Sequence, residues 1–177
     1  EQECLDTRFI SDMLKQYHET QSVVHVPTSE ELFALHLPLT QDAIDYALGS
    51  MYDYRPPSHM RRRVVVMWCK VAKLDKLWTE VDYRIEPFAR GSNVYNFRKY
   101  LKSKENIEMG KVDEPMHIYV DRAAKQIGVY NGRCRFSNLR DAGVPYVPVM
   151  MSRGDANWLN KMDVIVPIMT EEDMCDN

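Results

Sequence analysis

HMRRRVVVMWCKVAKLDKLWTEVDYRI, residues 59–85, decides which fold the chain adopts. Its first half admits two readings. Val64, Met67, Trp68 and Val71 recur at helical spacing, whereas the β-branched run and the bounding KLDK favour a strand. The second half breaks the tie. Leu77, Thr79, Val81, Tyr83 and Ile85 alternate with Trp78, Glu80, Asp82 and Arg84, the period of a half-buried strand. The stretch is therefore expected to form a hairpin turning at KLDK. Arg61, Arg62 and Arg63 are the charged lip of its first strand, with Lys70 and Lys73 further along it. The apolar run Val64–Cys69 is far too short to span a bilayer, which takes about 20 residues.

On the N-terminal side the pattern is helical. Leu5, Phe9, Met13 and Tyr17 recur every four residues, widened by Ile10 and Leu14, which predicts an amphipathic helix suited to the core or to a protein partner. Thr28 with Glu31 three residues later is a capping box before LFALHL. A further helix is expected from Gln41 to about Tyr52, and YRPPSH (54–59) breaks it.

On the C-terminal side, PFARGSN is a loop and Asn93 is placed to cap a helix VYNFRKYLKSK, with Val94, Phe97 and Leu101 inward. HIYVDRAAKQIGVYNGRCRF is expected to be a three-stranded meander, its second turn at Asn131-Gly132. Pro145 and Pro148 in VPYVPVMM predict an edge strand. SRGDANWLNK reads as a loop, DVIVPIM as a last strand and TEEDMCDN as an acidic tail. The fold class is α+β: N-terminal helices, then a mostly antiparallel sheet of hairpins with one inserted helix. The 177 residues are expected to make a single domain, with a helical part (1–53), a β-rich part (60–170) and a tail (171–177).

Four cysteines, Cys4, Cys69, Cys134 and Cys175, lie far apart in sequence and form no CxxC pattern. Free thiols, the absence of an Asn-x-Ser/Thr sequon and an acidic start that does not read as a signal peptide predict a reducing, cytoplasmic location.

Charge is the informative feature. Residues 55–104 carry thirteen Lys and Arg against four Asp and Glu, while the rest of the chain carries ten against twenty-two, for a net charge of −3. Such a block attracts phosphate polyanions, RNA or an anionic membrane surface, or the acidic part of another copy, which favours a homo-oligomer. The residues expected to bind are Arg61, Arg62, Arg63, Lys70, Lys73, Arg90, Arg98, Lys99, Lys102 and Lys104. Phe88, Tyr95 and Tyr100, interleaved among the cations, are expected to stack on bases.

Other chemistry is thinly encoded. Glu80, Asp82 and Asp121 on strand-like runs suggest the convergent carboxylates of a divalent-metal nuclease, with cross-strand ion pairing as the plainer account. The five histidines have no metal-ligand spacing, no cofactor motif occurs, and neither metal nor cofactor is expected. Arg153-Gly154-Asp155 spells RGD, and Pro145 to Pro148 has PxxP spacing; chance and a strand edge account for them. The leading expectation is a non-enzymatic assembly or interaction protein that binds a polyanion and self-associates. Small matrix- or nucleocapsid-associated viral structural proteins have this general size and charge. A metal-dependent nuclease and a protein-only adaptor are the alternatives.

Overall fold

The computed structural model describes residues 23–80 and 83–167. The expected helix over 4–19, Cys4, Asp82, the end of DVIVPIM, the acidic tail and Cys175 lie outside the described residues. Among the described residues the elements run α1 (Ser29–His36), α2 (Gln41–Tyr52), β1 (Val64–Lys70), α3 (Val71–Leu77), a 3-10 turn (Pro87–Ala89), α4 (Val94–Glu108), β2 (Met116–Asp121), β3 (Gln126–Asn131), α5 (Arg133–Asp141), β4 (Tyr146–Ser152) and α6 (Arg153–Lys161). The class is α+β, but the sheet is mixed. Its order is β1-β4-β2-β3, with β4 antiparallel to β1 and parallel to β2, and β2–β3 the one hairpin among the described residues.

Local signals read from the sequence reappear. Thr28 and Glu31 form the reciprocal capping box of α1. Asn93 caps α4 through Asn96 N–H, and Thr40, not singled out in the sequence, caps α2 through Ala43 N–H. Each satisfies an amide that the first helical turn leaves without a partner.

The longer-range expectations change. The first strand of the opening hairpin stops at Lys70, where α3 begins, and the expected second strand, 77–85, contributes a single bridge among the described residues, Trp78 to Ile127. Val71, Leu74 and Trp78 are all buried, and this i, i+3, i+7 spacing is that of a helix face. KLDK, expected as a turn, lies inside α3. Asn131-Gly132 is not a hairpin turn either: Gly132 starts α5, so RCRF is helical, burying Phe136 and Leu139. The β2–β3 turn falls at Asp121–Gln126, where Asp121 accepts from Ala124 N–H and Lys125 takes φ +53.

The expected edge strand is internal. β4 is buried from Val147 to Met151, the continuous apolar run of a strand covered on both faces. It accommodates Pro148 because Trp68, its partner on β1, turns its carbonyl outward to accept from Val166 N–H. Pro148 therefore has its imide nitrogen toward β2, whose pairing begins only at Val149. The expected last strand contributes a single bridge, Ile165 to Cys69, on the outer side of β1. SRGDANWLNK is α6, not a loop. Ser152 caps it, and Asp155 accepts from Val120 N–H at 3.1 Å, so the RGD triplet is a helix start tied to β2.

One core runs through these elements, from Ile44 and Met51 on α2 through Trp78, Tyr100 and Ile107 to Phe136, Met151 and Leu159. A polar network pins its rim. Asp75 accepts from Arg84 at 3.0 and 3.2 Å and from Arg140 at 3.1 Å. Arg84 and Arg140 also donate to the carbonyls of Trp78 (2.7 Å) and Ile85 (2.8 Å). Asp141 accepts from Arg140, from the Tyr100 hydroxyl (2.7 Å) and from Phe88 N–H (2.8 Å). These bonds fix residues 83–88 against α4 and α5.

On the other side Lys70 (2.8 Å) and Lys73 both hold Asp163, and they draw its carboxyl from an ordinary 3.8 down to about 2. Because the folded value is the lower one, this contribution is complete above the unfolded value and is lost as pH falls from about 4 toward 2. Asp163→Asn is expected to flatten that part of the melting-temperature profile, and an unchanged acid limb would contradict the pairing.

Candidate anion-binding pocket

The pocket forms where β3 turns into α5. Gly132 makes that turn at φ +90, a conformation that side chains resist. A Cβ there would lie 2.8 Å from Met116 Cα and 3.0 Å from Arg135 Nη2. With glycine as N-cap, no side chain caps α5. Among the described residues the amides of Arg133, Cys134 and Arg135 have no side-chain acceptor, which leaves the positive end of the helix dipole uncapped by them. Gly132→Ala is expected to cost on the order of 1–3 kcal/mol from backbone strain alone. A denaturation midpoint equal to that of the parent protein would contradict this.

The cavity has a volume of about 430 Å³, within the range of roughly 300–1,000 Å³ that small ligands occupy. One wall is α4, whose polar stripe Asn96, Lys99, Lys102, Ser103 and Asn106 faces it. The opposite face of α4, Phe97, Tyr100 and Ile107, is core. Tyr83 and Tyr130 flank the opening, 55 % and 64 % exposed. Arg133 donates to Val129 O at 3.3 Å, and its guanidinium lies 4.5 Å from the Tyr83 ring centroid. The Arg84 clamp described above fixes the residue next to Tyr83, so the core network shapes this wall.

Arg135 is the unusual residue. It is half-buried, yet among the described residues its guanidinium makes no hydrogen bond and no ion pair. Burial weakens its hold on the proton, an effect opposed by the charges of Glu114 and Asp113. The Nε atoms of Arg133 and Arg135 and the Ser103 hydroxyl are shut off from solvent without a partner among the described residues. Such groups cost free energy unless something satisfies them. Burial pushes the Cys134 thiol up, against the pull of Lys99, Arg133 and Arg135. Cys69, in the core, is pushed up to about 12. Both are free thiols.

Of the residues expected from sequence to bind a polyanion, the pocket gathers Lys99 and Lys102. Lys102 also reaches Glu105 at 3.3 Å, and Lys99 lies 4.9 Å from the centre of the Tyr95 ring. Arg61, Arg62 and Arg63 are exposed in the turn before β1 and do not line it; neither do Arg90 and Arg98, which are exposed elsewhere. Lys70 and Lys73 are committed to Asp163. Lys104 donates to the carbonyls of Ala34 and Leu35, capping the end of α1. Among the expected stacking residues, Tyr95 is exposed and Phe88 is at the surface beside His36. Tyr100 is 1 % exposed and belongs to the core, where burial and its bond to Asp141 raise its hydroxyl. It offers no face to a base.

Sequence reasoning missed Arg133, Arg135 and Ser103. They lie in the stretch read as a strand, or carry no charge. The available signal was a glycine directly between an apolar strand and an Arg-rich segment, the arrangement that aims helix amides at an anion.

Two of the carboxylates of the nuclease alternative, Glu80 and Asp121, have structural partners. Glu80 accepts from Trp78 Nε1 (3.3 Å) and the Tyr119 hydroxyl (3.2 Å), and Asp121 closes the β2–β3 turn. Among the described residues no three His, Cys, Asp or Glu side chains are grouped to hold a metal ion, and no helix is long and apolar enough to cross a membrane. No protein-family model, curated protein or solved structure matches the chain.

Proposed function

We propose that the protein binds single-stranded RNA through its phosphates, using the pocket between α4 and the start of α5. The observation that carries this reading is Arg135, a half-buried guanidinium without a hydrogen-bonding partner among the described residues. Lys99, Lys102 and Arg133 converge on the same space. A half-buried cation left without a partner is unfavourable in the free protein and favourable once an anion arrives. Concave shape and flanking tyrosines support a nucleic acid over a membrane surface, because exposed rings give unpaired bases a stacking platform.

The test is a titration of fluorescent single-stranded RNA across a salt series, with phosphatidylserine vesicles as the second arm. Four cations contacting phosphate predict a log–log salt slope of about −3 for a single strand, roughly a 50-fold loss between about 50 and 200 mM salt. No RNA binding at low salt, a flat salt response, or binding confined to the vesicles would overturn the reading.

A further inference from the structure

We infer that the pocket receives a terminal phosphomonoester, the phosphate at the end of a nucleic-acid strand. This rests on the anion-binding reading above and names its ligand more narrowly. Donors in the pocket outnumber what an internal phosphodiester accepts. Arg135 offers the Nη groups of its guanidinium, Arg133 retains the Nη1 not spent on Val129 O, and Lys99 and Lys102 add two ammonium groups. Among the described residues the first-turn amides of α5 have no side-chain acceptor.

An internal diester carries one charge on two free oxygens. A terminal phosphate carries about −1.5 to −2 on three strong acceptor oxygens. Arginine forks suit those oxygens bidentately, and a helix N-terminus prefers the higher charge. The acids close by are Glu114 and Asp113, which act on Arg135, and Glu105, which reaches Lys102. Neither Glu114 nor Asp113 lies within ion-pair distance of Arg135, so the guanidinium remains available. The cavity volume of about 430 Å³ holds a phosphate with its first nucleoside.

The experiment compares one short single-stranded RNA bearing a 5′ phosphate, a 3′ phosphate or hydroxyls at both ends, with a nucleoside monophosphate as a free competitor. A phosphorylated end is expected to bind roughly tenfold or more tightly than the hydroxyl form. That advantage is expected to disappear in Arg135→Met and in Lys99→Met, the latter being a surface change that leaves the core intact. Displacement by the monophosphate at equal concentration would assign the free nucleotide as the source of the same phosphate. Equal affinity for all three RNAs, or a preference that survives both variants, would overturn the inference while leaving RNA binding in place. Binding of the monophosphate without any RNA would keep the pocket's ligand and overturn the RNA reading. Binding of none of them would overturn both.

Discussion

Arg135→Met is expected to weaken RNA binding by roughly 10- to 100-fold, the ~1–3 kcal/mol of a charge-assisted contact, without lowering the stability of the fold. The second half of this expectation is the discriminating one. A half-buried arginine that served the structure would hold a carbonyl or a carboxylate, as Arg84 and Arg140 do. Arg135 holds neither among the described residues, so methionine keeps much of its apolar stem and removes a desolvated charge. Melting temperature and RNA affinity, measured on the same variant, should move independently. A large drop in melting temperature with affinity unchanged would make Arg135 a structural residue.

Asp75→Ala is expected to produce the opposite pattern, a loss of roughly 3–5 kcal/mol of stability. Asp75 is the shared acceptor for two guanidinium groups whose side chains are only 19 % and 8 % exposed. Removing it leaves both cations with too few partners in a poorly solvated place. The effect should also reach the pocket, because Arg84 fixes the segment carrying Tyr83 against α3. Denaturant titration reads the stability loss. RNA affinity under conditions where the variant remains folded should fall modestly, by less than in Arg135→Met. A midpoint within experimental error of the parent protein would show that the network adds nothing.

What was legible in the sequence was local. Thr28 with Glu31, Asn93, and the helix at Gln41–Tyr52 are settled by side-chain-to-backbone bonds and apolar spacing within one or two turns. The misread segments depend on partners distant in sequence. The alternation in Leu77–Ile85 was real, but Trp78 and Ile85, on opposite faces of such a strand, are both buried. Asn131-Gly132 suits a hairpin turn with positive φ at both residues, but here Gly132 alone of the two takes positive φ, as the residue before α5. Pro148 suggested an edge because the register that frees its nitrogen is set by β1 and β2, not by its neighbours.

The site was half legible for the same reason. The cationic face of α4 was visible as charge, and Lys99 and Lys102 do line the pocket. Counting charge could not separate them from Lys70, Lys73 and Lys104, whose charges are spent on Asp163 and on helix-end carbonyls. Arg133 and Arg135 fell outside the basic block altogether. Tyr100 looked like an aromatic among lysines, but it follows Phe97 by three residues and shares its buried face.

The most direct test is an amide nitrogen–proton correlation spectrum of the protein titrated with 5′-phosphorylated single-stranded RNA. The account predicts the largest shifts at Gly132 through Phe136 and at the Arg135 side-chain Nε–H, with Lys99 and Ser103 following. Shifts centred on Arg61, Arg62 and Arg63, with Gly132 through Phe136 unmoved, would contradict it and return the basic turn before β1 as the binding surface.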